Sequence, residues 1–420
     1  TVRSEVLGIV LETGFDMTMQ LRLVSILLFA LATGACTGAE ATVVTTTTTT
    51  ALEPLTPVTT TTTVPPAPTT VAPTTTTTTT LPSTGDLVLE EVATITGDIS
   101  PKSVVGNGAG LFFAQNMMYR HTITVYDSDY ELVATIPDAV DLTAFGHGEY
   151  DEEHRGAPVE AVATADGAYV YVSNYQMYGD GYTAAGGDGC NLADWDESFV
   201  YRVSAETLEI DQVIAVGAVP KFLAITPDDR FVLVSNWCSF DLSVIDAAVG
   251  KELARVPLGR HPRGIAVTAD GTTAYVAVMG SRDIAIVDLN AYGVDWLRNV
   301  GTSPRHLILD PNGRQLYATL NGEGTVAVID LATGTATSRI NSGAAPRSMT
   351  ISDDGRSLYV VNYNSDTVSK IDTETYAVLQ SLEVPENPIG ITFDEAGREV
   401  WVASYSGAIS VFREVDPDDG

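Results

Sequence analysis

Five prolines, Pro220, Pro262, Pro304, Pro346 and Pro388, stand 42 residues apart without a slip, and this spacing constrains the fold more tightly than any other feature. Between Pro346 and Pro388 lie four short apolar runs: Ser348 to Ser352, LYVVNY from Leu358, TVSKID ending at Asp372, and VLQSLEV from Val378. They are rich in Val, Ile and Tyr, and Asp354-Gly355 separates the first two, so they read as antiparallel strands joined by tight hairpins. The turn pair recurs as Asp166-Gly167, Asp270-Gly271 and Asn312-Gly313, while Asp246, Asp288, Asp330 and Asp372 close the third strand of successive units. A period of this length built from strands predicts an all-β propeller of four-stranded antiparallel blades.

Two longer units precede the regular ones. Pro158 opens a unit of 62 residues, in which a Gly- and Asp-rich loop over 175–198 separates AYVYVSN from FVYRVS. Pro101 opens a unit of 57 residues with an insertion from Asp138 to Gly156. The count is seven blades. The last unit has only three strands, ending in AISVFR at 408–413, and LEEVATIT at 89–96 is placed to supply the fourth. Closing the ring in this way leaves no unpaired blade edge. The propeller is therefore expected over 86–413, with an acidic tail at 414–420.

The text of the blades, P-R-G or P-R-S, a D-G turn, L-Y-V-V-N and a closing V-x-x-I-D, resembles the YVTN family of β-propeller repeats over essentially all of residues 87 to 413. The resemblance implies a seven-bladed ring. It selects no single function, because similar propellers serve as surface-layer modules, as lactonases, and as redox domains associated with haem or a quinone cofactor.

The segment before the ring addresses the chain to export. Residues 1–16 read as upstream read-through, and Met17 or Met19 opens a signal sequence over 17–35 with Arg22 ahead of the apolar run LVSILLFALATGA, too short for a membrane span. The run ends at Cys36 in A-T-G-A-C, which looks like a bacterial lipobox with Thr33 where Leu is usual. Lipidation of Cys36 and plain cleavage with Cys36 incidental are the two readings. Residues 36–85 are Thr, Pro, Ala and Val with almost no charge, a composition that buries no core and reads as a solvated tether. LPSTG at 81–85 matches a sortase signal by letters only, since no hydrophobic tail follows it.

A net charge of −32, from 54 acidic against 22 basic residues, argues against a nucleic-acid surface and for an exported soluble module. Cys190 and Cys238 fall in equivalent loops of neighbouring blades, between strands two and three. Outside the cytoplasm the pair reads as a disulfide; a thiolate metal pair is the rival, without any CxxC or Cys-plus-His spacing behind it.

In a four-stranded blade, those loops share one face with the connections that lead into each proline. This proline face collects all five histidines, both cysteines and both insertions. The position after each proline reads Lys102, Val159, Lys221, Arg263, Arg305, Arg347 and Ile389, five of seven basic in an acidic chain. Glu160 and His306 follow at the next position, His261 precedes Pro262, and Tyr175, Trp237, Tyr363 and Tyr405 follow the second strands. Together they predict a basic central mouth ringed by aromatics, suited to a small anionic ligand or an acidic partner in the cell envelope. The other reading of these basic residues is structural, donating hydrogen bonds to carbonyls of adjacent blades.

Metal coordination by His147, His154, Glu149, Asp151, Glu152 and Glu153, or by Asp180, Asp188, Asp194 and Asp196, is read instead as solvated acidic loop, so no metal and no cofactor is expected. No nucleophile elbow, HExxH, CxxCH or phosphate loop is present. The expectation is a monomeric envelope binding module, attached to the membrane only through its lipid. The alternatives are a lactonase-type hydrolase at the channel, using Glu160, His306 and the arginines, and a redox accessory holding haem or quinone without a covalent bond.

Overall fold

Each apolar run bounded by turn residues forms a strand, and the computed structural model describes residues 82–150, 153–183, 189–190 and 195–418. The leader, Cys36 and almost all of the tether lie outside these residues, as do Asp151, Glu152, Asp188 and Asp194. Seven antiparallel sheets result. Their innermost strands are Ser103–Gly106 in blade 1, Glu153–Ala163 in blade 2, Pro220–Ile225 in blade 3 and Pro262–Val267 in blade 4. Pro304–Leu309, Pro346–Ile351 and Pro388–Asp394 follow in blades 5 to 7. Each innermost strand touches the next, and that of blade 7 touches that of blade 1, so the ring is closed.

Proline starts the innermost strand of five blades because it cannot donate to a ladder yet tolerates the first strand position. Second and third strands are buried on both faces, and their side chains fill the seams between blades. Leu233 and Val244 of blade 3 meet Val276 and Ala285 of blade 4, while Tyr317 and Val328 of blade 5 meet Val360 and Ile371 of blade 6. Comparable clusters occupy the other five seams. At about 1.5–3 kcal/mol for each large aliphatic or aromatic side chain withdrawn from water, these seams are the main source of stability.

Blade 7 is completed by Val88–Thr96, which pairs antiparallel with Ala408–Val415 from Val88 opposite Val415 to Thr96 opposite Ala408. The closure reaches beyond 86 and 413 at both ends. Asp354 accepts hydrogen bonds from the Thr84 amide and hydroxyl at 2.8 Å. At the other end Glu414 is fully buried against Lys370.

Blade 2 carries more than four strands. Its first two strands run past the sheet on the proline face, where Arg155 pairs with Tyr178, and Ala139–Asp141 adds a fifth strand beside them. The insertion after Asp138 thus becomes an extension of blade 2, packed through Val140, Leu142, Met177, Phe199 and Tyr201. Among the described residues no helix is long and apolar enough to cross a membrane.

Candidate functional site

In blades 2 to 7 the innermost strand slips register immediately after its proline. In blade 5, Pro304 pairs with Leu320 and Leu307 with Ala318, so Arg305 and His306 together oppose Thr319. Val159 with Glu160, Arg263 with Gly264, and Arg347 with Ser348 repeat this arrangement. Two residues against one bend a strand and re-aim its side chains. Thr319 satisfies the groups that the bulge frees, accepting from the His306 amide at 2.9 Å and donating to the Arg347 carbonyl at 3.0 Å.

Before the bulge, Val219, His261, Ser303, Ala345 and Asn387 all adopt φ between 55° and 64°, a region sparsely used by residues other than glycine. Their carbonyls accept from the amides of Trp237, Met279, Asn321, Tyr363 and Tyr405 in turn. The repeated corner therefore ties the rim position after strand two to the residue aimed inward by the bulge. Gly264 allows blades 4 and 5 to meet backbone to backbone, because a Cβ there would lie 2.7 Å from the Arg305 carbonyl oxygen and from the His306 Cα.

Lys102, Glu160, Arg263 and Arg305 are only 4–7% exposed, so the basic residues lie within the ring rather than on its rim. Lys102 donates to Glu160 Oε1 at 2.6 Å, and an Arg263 terminal nitrogen is 4.0 Å from the same oxygen. Arg305 has no hydrogen bond and no carboxylate within 4 Å among the described residues, and burial together with Arg263 and Arg347 disfavours its charge. Neither Arg263 nor Arg305 donates a side-chain hydrogen bond to a neighbouring carbonyl among those residues. Burial is the main cause that lowers Lys102 to about 8, against the pull of Glu160 and with the push of Arg263 and Arg305. His306 is lowered to about 3 by burial, then by Arg263, Arg305 and Lys102, and its Nδ1 has no partner. Tyr405 rises to about 12, chiefly through burial.

The aromatic residues named from sequence surround this group. Arg347 lies over Tyr363 at 4.2 Å from the ring centre, and Tyr363 meets Tyr405 edge to face. Lys221 is 4.3 Å from the centre of Tyr175 and 5.2 Å from that of Trp237, and Trp237 stacks on His261 at 4.3 Å. Phe222, Gly264 and Thr319 were not marked as site residues by sequence. Phe222 reaches His306 edge to face at 5.0 Å across blade 4. The signal was available for Gly264, as the small residue in P-R-G.

Cys190 and Cys238 form a disulfide with Cα atoms 4.9 Å apart, which suggests an oxidising, extracytoplasmic environment. His147 and His154 of the insertion and His121 of blade 1 pack rather than converge on an open site. His147 Nε2 bonds the Val213 carbonyl at 3.1 Å, His154 Nε2 that of Asp180 at 2.8 Å, and His121 Nδ1 that of Gly156 at 2.8 Å. Among the described residues no three His, Cys, Asp or Glu side chains gather as metal ligands.

A family model described as a YNCE-like β-propeller matches residues 178–314, and one described as a seven-bladed β-propeller lactonase matches residues 256–378. The chain is a seven-bladed β-propeller, consistent with a YVTN-type propeller. No curated protein matches the chain significantly. A solved chain titled hydrazine synthase, from Kuenenia stuttgartiensis, superposes with a TM-score of 0.60 at 17% identity. The match covers 76% of the propeller chain and 97% of the other, and at this identity it shows the fold alone. With 1694 solved chains matching, the architecture itself selects no activity, and function must be argued from the ring centre.

Proposed function

We propose that this propeller is an exported binding module that captures a small anionic ligand at the centre of its proline face, the chain being held at the cell envelope by a lipid on Cys36. The observation that carries the reading is Arg305, buried beside Arg263 and Arg347 with no counter-charge of its own. Arginine stays protonated in proteins, and an ion removed from water without a partner costs several kcal/mol. An anion arriving at this point relieves that cost, and fork-shaped guanidinium donors suit carboxylate, sulfate or phosphate oxygens.

A lactonase-type reaction is the second reading, favoured by the lactonase model, whose matched span includes Arg263, Arg305, His306 and Arg347. The electrostatics weigh against it. A histidine lowered to about 3 is a weak general base at neutral pH, where catalysis favours a group titrating near the working pH. Calorimetry of the full chain with citrate distinguishes the readings, with a lactone panel run in parallel. Saturable binding, weakened at least about tenfold by Arg305→Met and without lactone turnover, is expected, about 1.4 kcal/mol. Turnover abolished by replacing Arg305 and His306 together with alanine supports the hydrolase instead. Absence of both binding and turnover rejects the site.

A further inference from the structure

The balance of charge at the ring centre constrains the ligand more narrowly than its sign, and the following step rests on the anion-binding reading. Arg263, Arg305 and Arg347 occupy equivalent positions of three consecutive blades, so their side chains approach the centre side by side. Lys102 enters from blade 1. Glu160 is the one carboxylate among the described residues within 4 Å of Lys102, Arg263 or Arg305, and it is engaged by Lys102 at 2.6 Å. Arg263 reaches the same oxygen only at 4.0 Å, and Arg305 reaches no carboxylate. Below the Lys102 value of about 8, the buried Lys102, Arg263 and Arg305 therefore set three positive side chains against the one carboxylate of Glu160.

We infer that the ligand is a multivalent anion, carrying two or more negative charges on oxygens spread over several guanidiniums. A monovalent ion offsets one of the two positive charges in excess on these buried side chains and leaves the other without a partner, still bearing its desolvation cost. A dicarboxylate, tricarboxylate, sulfate or phosphate spans adjacent arginines and closes the deficit. The polar groups around the cluster suit such a ligand. The Tyr405 hydroxyl retains its proton well past neutral pH, and a neutral His306 with its proton on Nδ1 donates from the atom that has no protein partner. The requirement for valence comes from the arithmetic of buried charge and not from the surface, which is acidic overall.

Thermal unfolding of the full chain at pH 7 and matched ionic strength tests the inference with chloride, acetate, succinate, sulfate, phosphate and citrate. A ligand bound only by the folded state raises Tm in proportion to RT ln(1 + [L]/Kd). Citrate, phosphate and sulfate are expected to raise Tm by several degrees with a logarithmic dependence on concentration above Kd, succinate to act in the same sense, and acetate and chloride to do little. Excluded salts such as sulfate also stabilise proteins without a site, so Arg305→Met and Arg347→Gln are run in parallel. The logarithmic component should vanish in both variants while the shallow linear component persists. Glu160→Gln removes the internal competitor and is expected to tighten citrate binding about tenfold, 1.4 kcal/mol. Acetate acting as strongly as citrate overturns the valence argument and leaves anion binding standing. A response that is linear in concentration throughout in the wild type, or that survives both arginine substitutions, overturns both.

Discussion

The position after the proline shows how one residue acquires a property its side chain lacks in isolation. Lys102 would be an ordinary cation on a surface, but the ring removes it from water and places Arg263 and Arg305 in its field, so it titrates at about 8 despite Glu160 beside it. The sign of the consequence for binding is fixed. An anion favours the protonated amine, so affinity should be constant below about pH 7 and fall as pH rises through 8. Citrate titrations from pH 6.5 to 9.5 check this, and Lys102→Met should flatten the profile at a uniformly lower affinity. A profile unchanged by that substitution would place Lys102 outside the site. The basic position was legible in the sequence because it recurs at the repeat interval. That Lys102 is paired, Arg305 unpaired and His306 neutral was not legible, since these follow from side chains reaching between blades that no period records.

At the scale of the element, the bulge and the extended hairpin of blade 2 carry the departures from a regular blade. The four strands and their turns could be read from alternation and Asp-Gly pairs, because those signals are local. The bulge leaves no local signal, for it is defined by a partner strand that sees two residues opposite one. The insertion following Asp138 was read as a loop, yet it supplies a strand, because Arg155 and Gly156 continue the ladder past the sheet. Asp138 itself is fully buried at its base, and among the described residues no hydrogen bond reaches either carboxyl oxygen. Gly156 leaves room there, since a Cβ would fall 2.2 Å from Asn174 Oδ1 and 2.8 Å from Asp138 Oδ2. Burial raises Asp138 to about 8, with Arg155 opposing. The unfolded chain releases this proton near pH 4 and the folded chain keeps it until about 8, so folding stability declines with pH across that interval. Asp138→Asn should leave stability near pH 4 unchanged and raise it at pH 8 by a few kcal/mol (~3), because the cost grows with the protons held. Denaturant unfolding at both pH values measures the difference. Equal effects at the two values would mean that Asp138 is ionised in the folded protein.

Over the whole molecule, stability and access to the site meet at the closure of the ring. Strand four of a blade begins on the hairpin face, opposite the prolines, and strand three ends there. Val88 and Val415, paired across the closing sheet, therefore both lie on that face. The joint is secured by a buried polar group that no repeat pattern announces. Lys370, fully buried in blade 6, donates to the Thr84 carbonyl at 2.6 Å, the Leu87 carbonyl at 2.8 Å and Glu414 at 2.8 Å. Glu414 also receives the Tyr359 hydroxyl and, at 3.1 Å, Arg398. One ammonium thus joins blade 6, the incoming segment and the final strand. Lys370→Met keeps the volume but strips two carbonyls and one carboxylate of their donor. Removing one member of a buried pair typically costs about 3–5 kcal/mol, and the remaining Arg398 and Tyr359 contacts should hold the loss near the lower end. The distribution of the loss is the more telling result. Amide exchange should accelerate first in Val88–Thr96 and Ala408–Val415, while Phe231–Asn236 in blade 3 keeps its protection, because the ring opens at the joint before its seams separate. Uniform acceleration through all seven blades would show that Lys370 contributes to a single cooperative core and that the joint has no stability of its own.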